Sequence, residues 1–224
     1  MKRFPYARVC TTLLITLLLV LPAAILYAQT KRSTPAAKPA SASSVTGAGK
    51  AIGSKSAPIT IEVFSDFQCP ACRSFYQNSM KQLMDNYVYT GKVYLVHRDF
   101  PLDMHPHARQ AARLANAAAE LGQFEAVERA LFDTQDTWTG SGRIDEAISR
   151  VLSPADLKRI HDFETQNLNA INASIEKDRN MGIQRGVNQT PSVYVTARGK
   201  TEALPGGAID YRLLKQYLDY LLRQ

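Results

Sequence analysis

The segment Phe64-Ser65-Asp66-Phe67-Gln68-Cys69-Pro70-Ala71-Cys72-Arg73 decides how the chain is read. Just before it, residues 58–64 (P-I-T-I-E-V-F) alternate β-branched side chains and read as a strand. Just after it, Cys72, Phe75, Tyr76, Ser79, Met80, Leu83, Met84 and Tyr87 recur at steps of three and four, the wide apolar stripe of a core-facing helix that Gly91 ends. The C-x-x-C therefore joins a strand to the first turn of a helix. Unpaired N–H groups and the positive end of the helix dipole face Cys69 there and favour its thiolate. Its pKa is expected well below that of a free thiol, so that it is the nucleophile near neutral pH. Pro70 sits at the first helical position, where it has no N–H to waste and a pre-set φ. Cys72 lies one turn further on and points inward, close enough to attack a mixed disulfide on Cys69.

Outward from this segment, residues 92–98 (K-V-Y-L-V-H-R) read as a second strand, placed beside the first by a parallel crossover. From about His105 to Met181 the pattern is helical: residues 107–121, 123–134, 143–152, and a helix capped by Ser153 with Pro154 at its first position. After Gly186 come a strand over 192–196, a turn at 197–200, a short strand near 201–204 and an amphipathic helix over 211–222. The order β-α-β, helical block, β-β-α is mixed α/β with helices inserted in the middle. Trp138 reads as packing in the insertion, Tyr211, Tyr217 and Tyr220 as packing on the last helix, His97 as a structural strand histidine, and His105 and His107 as packing or capping groups.

Charge excludes one broad class. The chain of 224 residues carries a net +7, but residues 1–50 hold seven basic groups and no acid, leaving 20 of each sign over residues 51–224. The basic balance belongs to the N-terminal segment, and nucleic-acid binding loses its support. Lys2, Arg3 and Arg8 precede an uncharged run over residues 9–28, which reads as an export signal. Cleavage after Ala28 puts Leu26 at the third position back, where a small residue is preferred, and twenty residues also suffice to anchor in a bilayer; both readings stand. The positive flank places everything after it outside the cytoplasm. Residues 29–50, rich in Ala, Ser, Thr, Pro, Gly and Lys, read as a flexible linker, and residues 51–224 as one domain.

Three cysteines do not make a disulfide scaffold, and Cys10 lies in the apolar run, so the Cys69/Cys72 pair is the chemistry to explain. A structural disulfide needs no helix N-terminus. A zinc site has no second C-x-x-C, and His97, His105 and His107 lack a ligand spacing. Redox exchange is the reading carried forward, with no cofactor and no metal beyond the cysteine pair itself.

Residues 65–73 resemble the active-site segment of the DsbA-like thiol–disulfide oxidoreductases of the thioredoxin superfamily. The likeness continues in Arg98-Asp99-Phe100-Pro101-Leu102, in His105-Pro106-His107-Ala108, and in Gly186-Val187-Asn188-Gln189-Thr190-Pro191. It implies a thioredoxin fold with a helical insertion at about 103–182 between the βαβ and ββα halves. It also implies a cis Thr190–Pro191 bond against the C-x-x-C, with Thr190 and Pro191 meeting substrate peptide. The implied catalytic residues are Cys69 and Cys72, supported by Asp66, Pro70, Ala71, Thr190 and Pro191. Two departures stand out: Gln189 occupies a place often held by Gly, and Val63 one where many members bury an acid, with Glu62 one place earlier on the opposite strand face.

The implied activity is exchange of a Cys69–Cys72 disulfide with thiols of exported proteins, as a monomeric oxidase reset by a membrane or soluble redox partner. A reductase or isomerase, and a non-catalytic thioredoxin-fold binding module or chaperone, are the alternatives. An isomerase needs two cooperating sites, and residues 29–50 are too short and polar for a dimerisation domain.

Overall fold

The computed structural model describes residues 47–207 and 209–224. The signal or anchor expected over residues 1–28, and residues 29–46 of the expected linker, lie outside the described residues. The strands are β1 (Ala51–Ile52), β2 (Ile59–Ser65), β3 (Val93–Asp99), β4 (Ser192–Ala197) and β5 (Lys200–Ala203), in the order β1-β3-β2-β4-β5. β2 runs parallel to β3, with Ile59 opposite Val93 and Ser65 opposite Asp99; the other pairings are antiparallel. The parallel pair is joined by helix α1 over residues 70–88. Between β3 and β4 lie α2 (Ala108–Glu120), α3 (Phe124–Asp133), α4 (Gln135–Trp138), α5 (Ile144–Ile148), α6 (Pro154–Gln166) and α7 (Leu168–Gln184). The chain closes on α8 (Tyr211–Arg223). This is the expected βαβ–helical block–ββα order.

β2 is central, and alternation sends its side chains into two cores. Ile61 and Val63 join Leu95, Val193 and Val195 against Phe75 and Leu83 of α1 and Leu214 and Leu218 of α8. Each such fully buried side chain contributes about 1.5–3 kcal/mol. Phe64 points the other way, to Phe100, Val187 and Tyr194. α7 crosses this face at Gly182, where a Cβ would come within 2.7 Å of the Phe100 ring. A third core, inside the insertion, gathers Leu114, Leu131, Ile144, Ile160 and Ile171 around the fully buried Trp138, and it reaches Phe67, Cys69 and Cys72.

α1 departs from plain α geometry at two π-type stretches, Tyr76–Met80 and Met84–Val88. The cause is visible in the stripe. Its buried pairs, Ser79 and Met80, Leu83 and Met84, Tyr87 and Val88, repeat every four residues. On an ideal α-helix a four-residue step drifts by roughly 40°. The wider π turns cancel the drift and keep every pair on the sheet.

Two expectations need correction. The linker does not extend to Lys50: Ala48–Lys50 form a 3-10 turn packed on the domain, and Lys50 is 2% exposed. Its Nζ hydrogen-bonds the Asp99 carboxylate and lies 2.6 Å from Asp178 Oδ2. Burial works against this ammonium, but the two carboxylates outweigh it and raise its pKa. Tyr220 does not pack; it is among the exposed large side chains. Among the described residues no helix is long and apolar enough to cross a membrane.

Candidate active site

The turn between β2 and α1 is held from several directions. Asp66 is buried, and its carboxylate accepts hydrogen bonds from Gln68 N (2.7 Å), from Leu102 N (2.8 Å) and, at the same oxygen, from His105 Nδ1 (2.7 Å). The Cys69 N–H donates to the Asp66 carbonyl at 3.1 Å. Asp66 thus spends its carboxylate on the loop, and its backbone N–H reaches Cys72 Sγ at 3.5 Å. Gln68 ties outward: Oε1 accepts from His107 N and Nε2 donates to the Thr139 carbonyl. Gln135, from the insertion, donates to the carbonyls of Phe67 (2.8 Å) and Cys69 (3.0 Å).

Cys69 occupies the position that begins α1, in extended conformation (φ −74°, ψ 123°), with Pro70 at the first helical position. Both cysteines are free thiols; Cys69 is 7% exposed and Cys72 1%. The Thr190–Pro191 bond is cis, and Cys69 Sγ lies 3.5 Å from the Thr190 carbonyl oxygen. The Thr190 hydroxyl is buried and has no hydrogen-bond partner among the described residues. The Cys69 thiol is pulled down to about 5 by the hydrogen bond from Cys72, helped by Thr190 and by the N–H groups of Cys72 and Ala71, against a desolvation cost. Burial pushes the Cys72 thiol well up, and the neighbouring Cys69 thiolate pushes the same way. One sulfur is poised as an anion and its neighbour holds the proton.

The structure therefore brings Cys69, Pro70, Ala71, Cys72, Thr190 and Pro191 together, with Asp66 behind them as the loop's organiser. Glu62 points away: it accepts from Arg98 (2.7 and 2.8 Å) and from Arg185 (2.6 Å) on the far face of the sheet. Val63 instead lines a small cavity with His97 and Glu128. His97 is buried between Glu128 (3.0 Å) and Asp99 (3.4 Å) and stacks on Phe67. Desolvation opposes its charge, but the two carboxylates prevail and raise its pKa to about 9. Gln189 lays its side chain where a Cβ on Gly206 would be. Beside it, Leu204, Pro205, Ile209, Leu213 and Tyr217 line an apolar groove of about 480 Å³, tied to the cis-proline loop by the Gly207 N–H on the Pro191 carbonyl. Gln135, Gln68 and the groove were not foreseen; only the apolar spacing of the last helix hinted at the groove.

A strand-to-helix cysteine pair facing a cis proline is the arrangement of a thioredoxin-type dithiol, and the family model described as thioredoxin matches residues 45–207. The chain belongs to that family. Within it the resemblance is to DsbA-like thiol–disulfide oxidoreductases. The solved structure of α-DsbA1 from Wolbachia pipientis superposes with a TM-score of 0.63 at 22% identity, covering 77% of this chain and 89% of that one, a likeness of fold. Disulfide bond formation protein D of Bacillus subtilis is 23% identical over 155 residues, 64% of this chain and 66% of that protein. The Na(+)/H(+) antiporter NhaA 3 of Salinispora tropica is 35% identical over 108 residues, 48% of this chain but only 14% of that much longer protein.

Proposed function

We propose that this chain is an extracytoplasmic thiol–disulfide oxidoreductase that, as a monomer, donates its Cys69–Cys72 disulfide to cysteines of exported proteins. One observation carries the reading: Cys69 is a low-pKa sulfur at a helix N-terminus beside Thr190–Pro191, while Cys72 behind it is shielded and holds its proton. A substrate thiolate attacks Cys69 Sγ, the Cys69–Cys72 bond breaks, and Cys72 leaves and takes up a proton. A second substrate thiolate then attacks the substrate sulfur of the mixed disulfide, and Cys69 departs as the stabilised thiolate. The substrate dithiol is oxidised and the protein's disulfide is reduced. A stabilised leaving thiolate favours the reduced protein, which makes the disulfide oxidising.

The apolar groove between residues 204–206 and α8, joined to the cis-proline loop through the Gly207 N–H on the Pro191 carbonyl, supports unfolded polypeptide as the substrate, since such chains present apolar side chains beside free cysteines. The positive n-region at Lys2, Arg3 and Arg8 supports the location, and a redox partner that removes the electrons from the Cys69–Cys72 dithiol completes the cycle. The test is oxidation of a reduced, unfolded dithiol protein by the oxidised chain. Stoichiometric disulfide transfer, absent in Cys69→Ala, is expected. Binding of the substrate with no transfer would point to a chaperone, and rapid reduction of substrate disulfides with no oxidation would reverse the direction.

A further inference from the structure

We propose that Gln135, which lies 66 residues from Cys69 in sequence, is a positioning residue for the Cys69 thiolate. The inference rests on the oxidoreductase reading. Gln135 is 4% exposed, and its Nε2 donates both hydrogens, one to the Phe67 carbonyl and one to the Cys69 carbonyl. Those two carbonyls flank the turn that delivers Cys69 to the start of α1. Pro70 has no N–H and fixes its own φ, so nothing in the helix holds the Cys69 peptide at ψ 123° except the Arg73 N–H on the same carbonyl. Gln135 supplies the missing restraint from outside. It also turns the negative end of the Cys69 carbonyl toward its own amide hydrogens. The N–H groups of Ala71 and Cys72 are thereby left aimed at the sulfur.

The short helix α4 that carries Gln135 is itself anchored. Trp138 is fully buried, and its Nε1 donates to the Leu131 carbonyl at 2.9 Å. The next residue, Thr139, accepts from Gln68 Nε2 at 3.0 Å. Asp136 faces Arg73, one residue past the second cysteine, at 3.4 Å in an exposed pair that adds little. The insertion therefore grips the redox turn on both sides of Cys69, and Gln135 is the central contact. Preorganised donors of this kind act on charge without reorganising when it forms.

The test uses the full chain. Gln135→Met keeps the volume and removes both donors; Gln135→Asn keeps an amide that is one methylene too short to span both carbonyls. In each, the Cys69 thiolate titration read by ultraviolet absorbance is expected to move up by about one pH unit. The equilibrium constant with glutathione should move about tenfold toward the disulfide, about 30 mV for this two-electron couple. Thr137→Ala, on the same helix but exposed, should change neither. In the wild-type chain the Gln135 side-chain amide NMR signals should shift between the dithiol and disulfide states, a readout that does not depend on the variants folding. Variants that fold cooperatively with wild-type titration and potential, or amide signals identical in both redox states, would overturn the inference. A wild-type chain that transfers no disulfide would instead overturn the functional reading on which it rests.

Discussion

One part of the pH dependence of the reduced protein's stability should come from a single sulfur, and Cys69→Ser is the perturbation that exposes it. The Cys69 thiol is lowered from an ordinary 9.0 to about 5 on folding, first by the Cys72 hydrogen bond and then by Thr190 and the helix N–H groups. A depressed pKa contributes stability that is fully present above the unfolded value and lost as pH falls through the folded one. At about 1.4 kcal/mol per pH unit, discounted for the sulfur's partial access to solvent, the thiolate contributes nothing below pH 5 and about 1–3 kcal/mol by pH 9. Cys72, whose thiol is raised, acts only above that window. The assay is urea unfolding under a phosphine reductant from pH 4.5 to 8.5, wild type against Cys69→Ser, so that every other titration cancels. The gap between the two should open steadily from pH 5. Parallel profiles across the range would refute the thiolate assignment, whatever the offset between them.

Other expectations follow from the buried charges. Replacing Lys50 with Met strands the Asp99 and Asp178 carboxylates and should cost about 3–5 kcal/mol, measured by thermal or urea unfolding. Removing the chain through Lys50 should reproduce the Lys50→Met loss. His97 is held near 9 against desolvation by Asp99 and Glu128, with Lys50 on the far side of Asp99, so its contribution is complete below about pH 6.5 and disappears as pH rises through 9. In a Cys69→Ser background, stability should therefore fall by about 3 kcal/mol from pH 6.5 to above 9, and His97→Gln should flatten that decline. A flat profile with His97 present would place the proton elsewhere.

The parts of the fold legible in sequence are those written in neighbouring residues. Alternation over residues 58–64, a helix stripe after Cys72, Ser153 with Pro154, and a turn at Arg198-Gly199 each carry their own local physics, and each appears where expected. What escaped is long-range. Lys50 ends a stretch whose composition is that of a linker, and nothing near it announces that Asp99 and Asp178, 49 and 128 residues away, will enclose its ammonium. Gln135 reads as one polar residue among several on a short helix until the insertion folds back over the redox turn. The resemblance places Asp66 among the residues that support the cysteines, and only the positions of Leu102 and His105 show where its carboxylate goes. The four-residue rhythm of α1 was in plain view, but a period of four is short of what distinguishes α from π without the sheet beneath it.

The central claim is a division of labour between two sulfurs one helical turn apart, and the most direct measurement is trapping of mixed disulfides. Cys72→Ser and Cys69→Ser are each mixed, reduced, with a disulfide-containing protein and resolved by non-reducing electrophoresis, with iodoacetamide labelling across pH in parallel. The geometry predicts that Cys72→Ser accumulates a covalent complex it has no internal thiol to resolve, that Cys69→Ser accumulates none, and that Cys69 is labelled at the lower pH. Trapping by Cys69→Ser, or labelling of Cys72 ahead of Cys69, would contradict it.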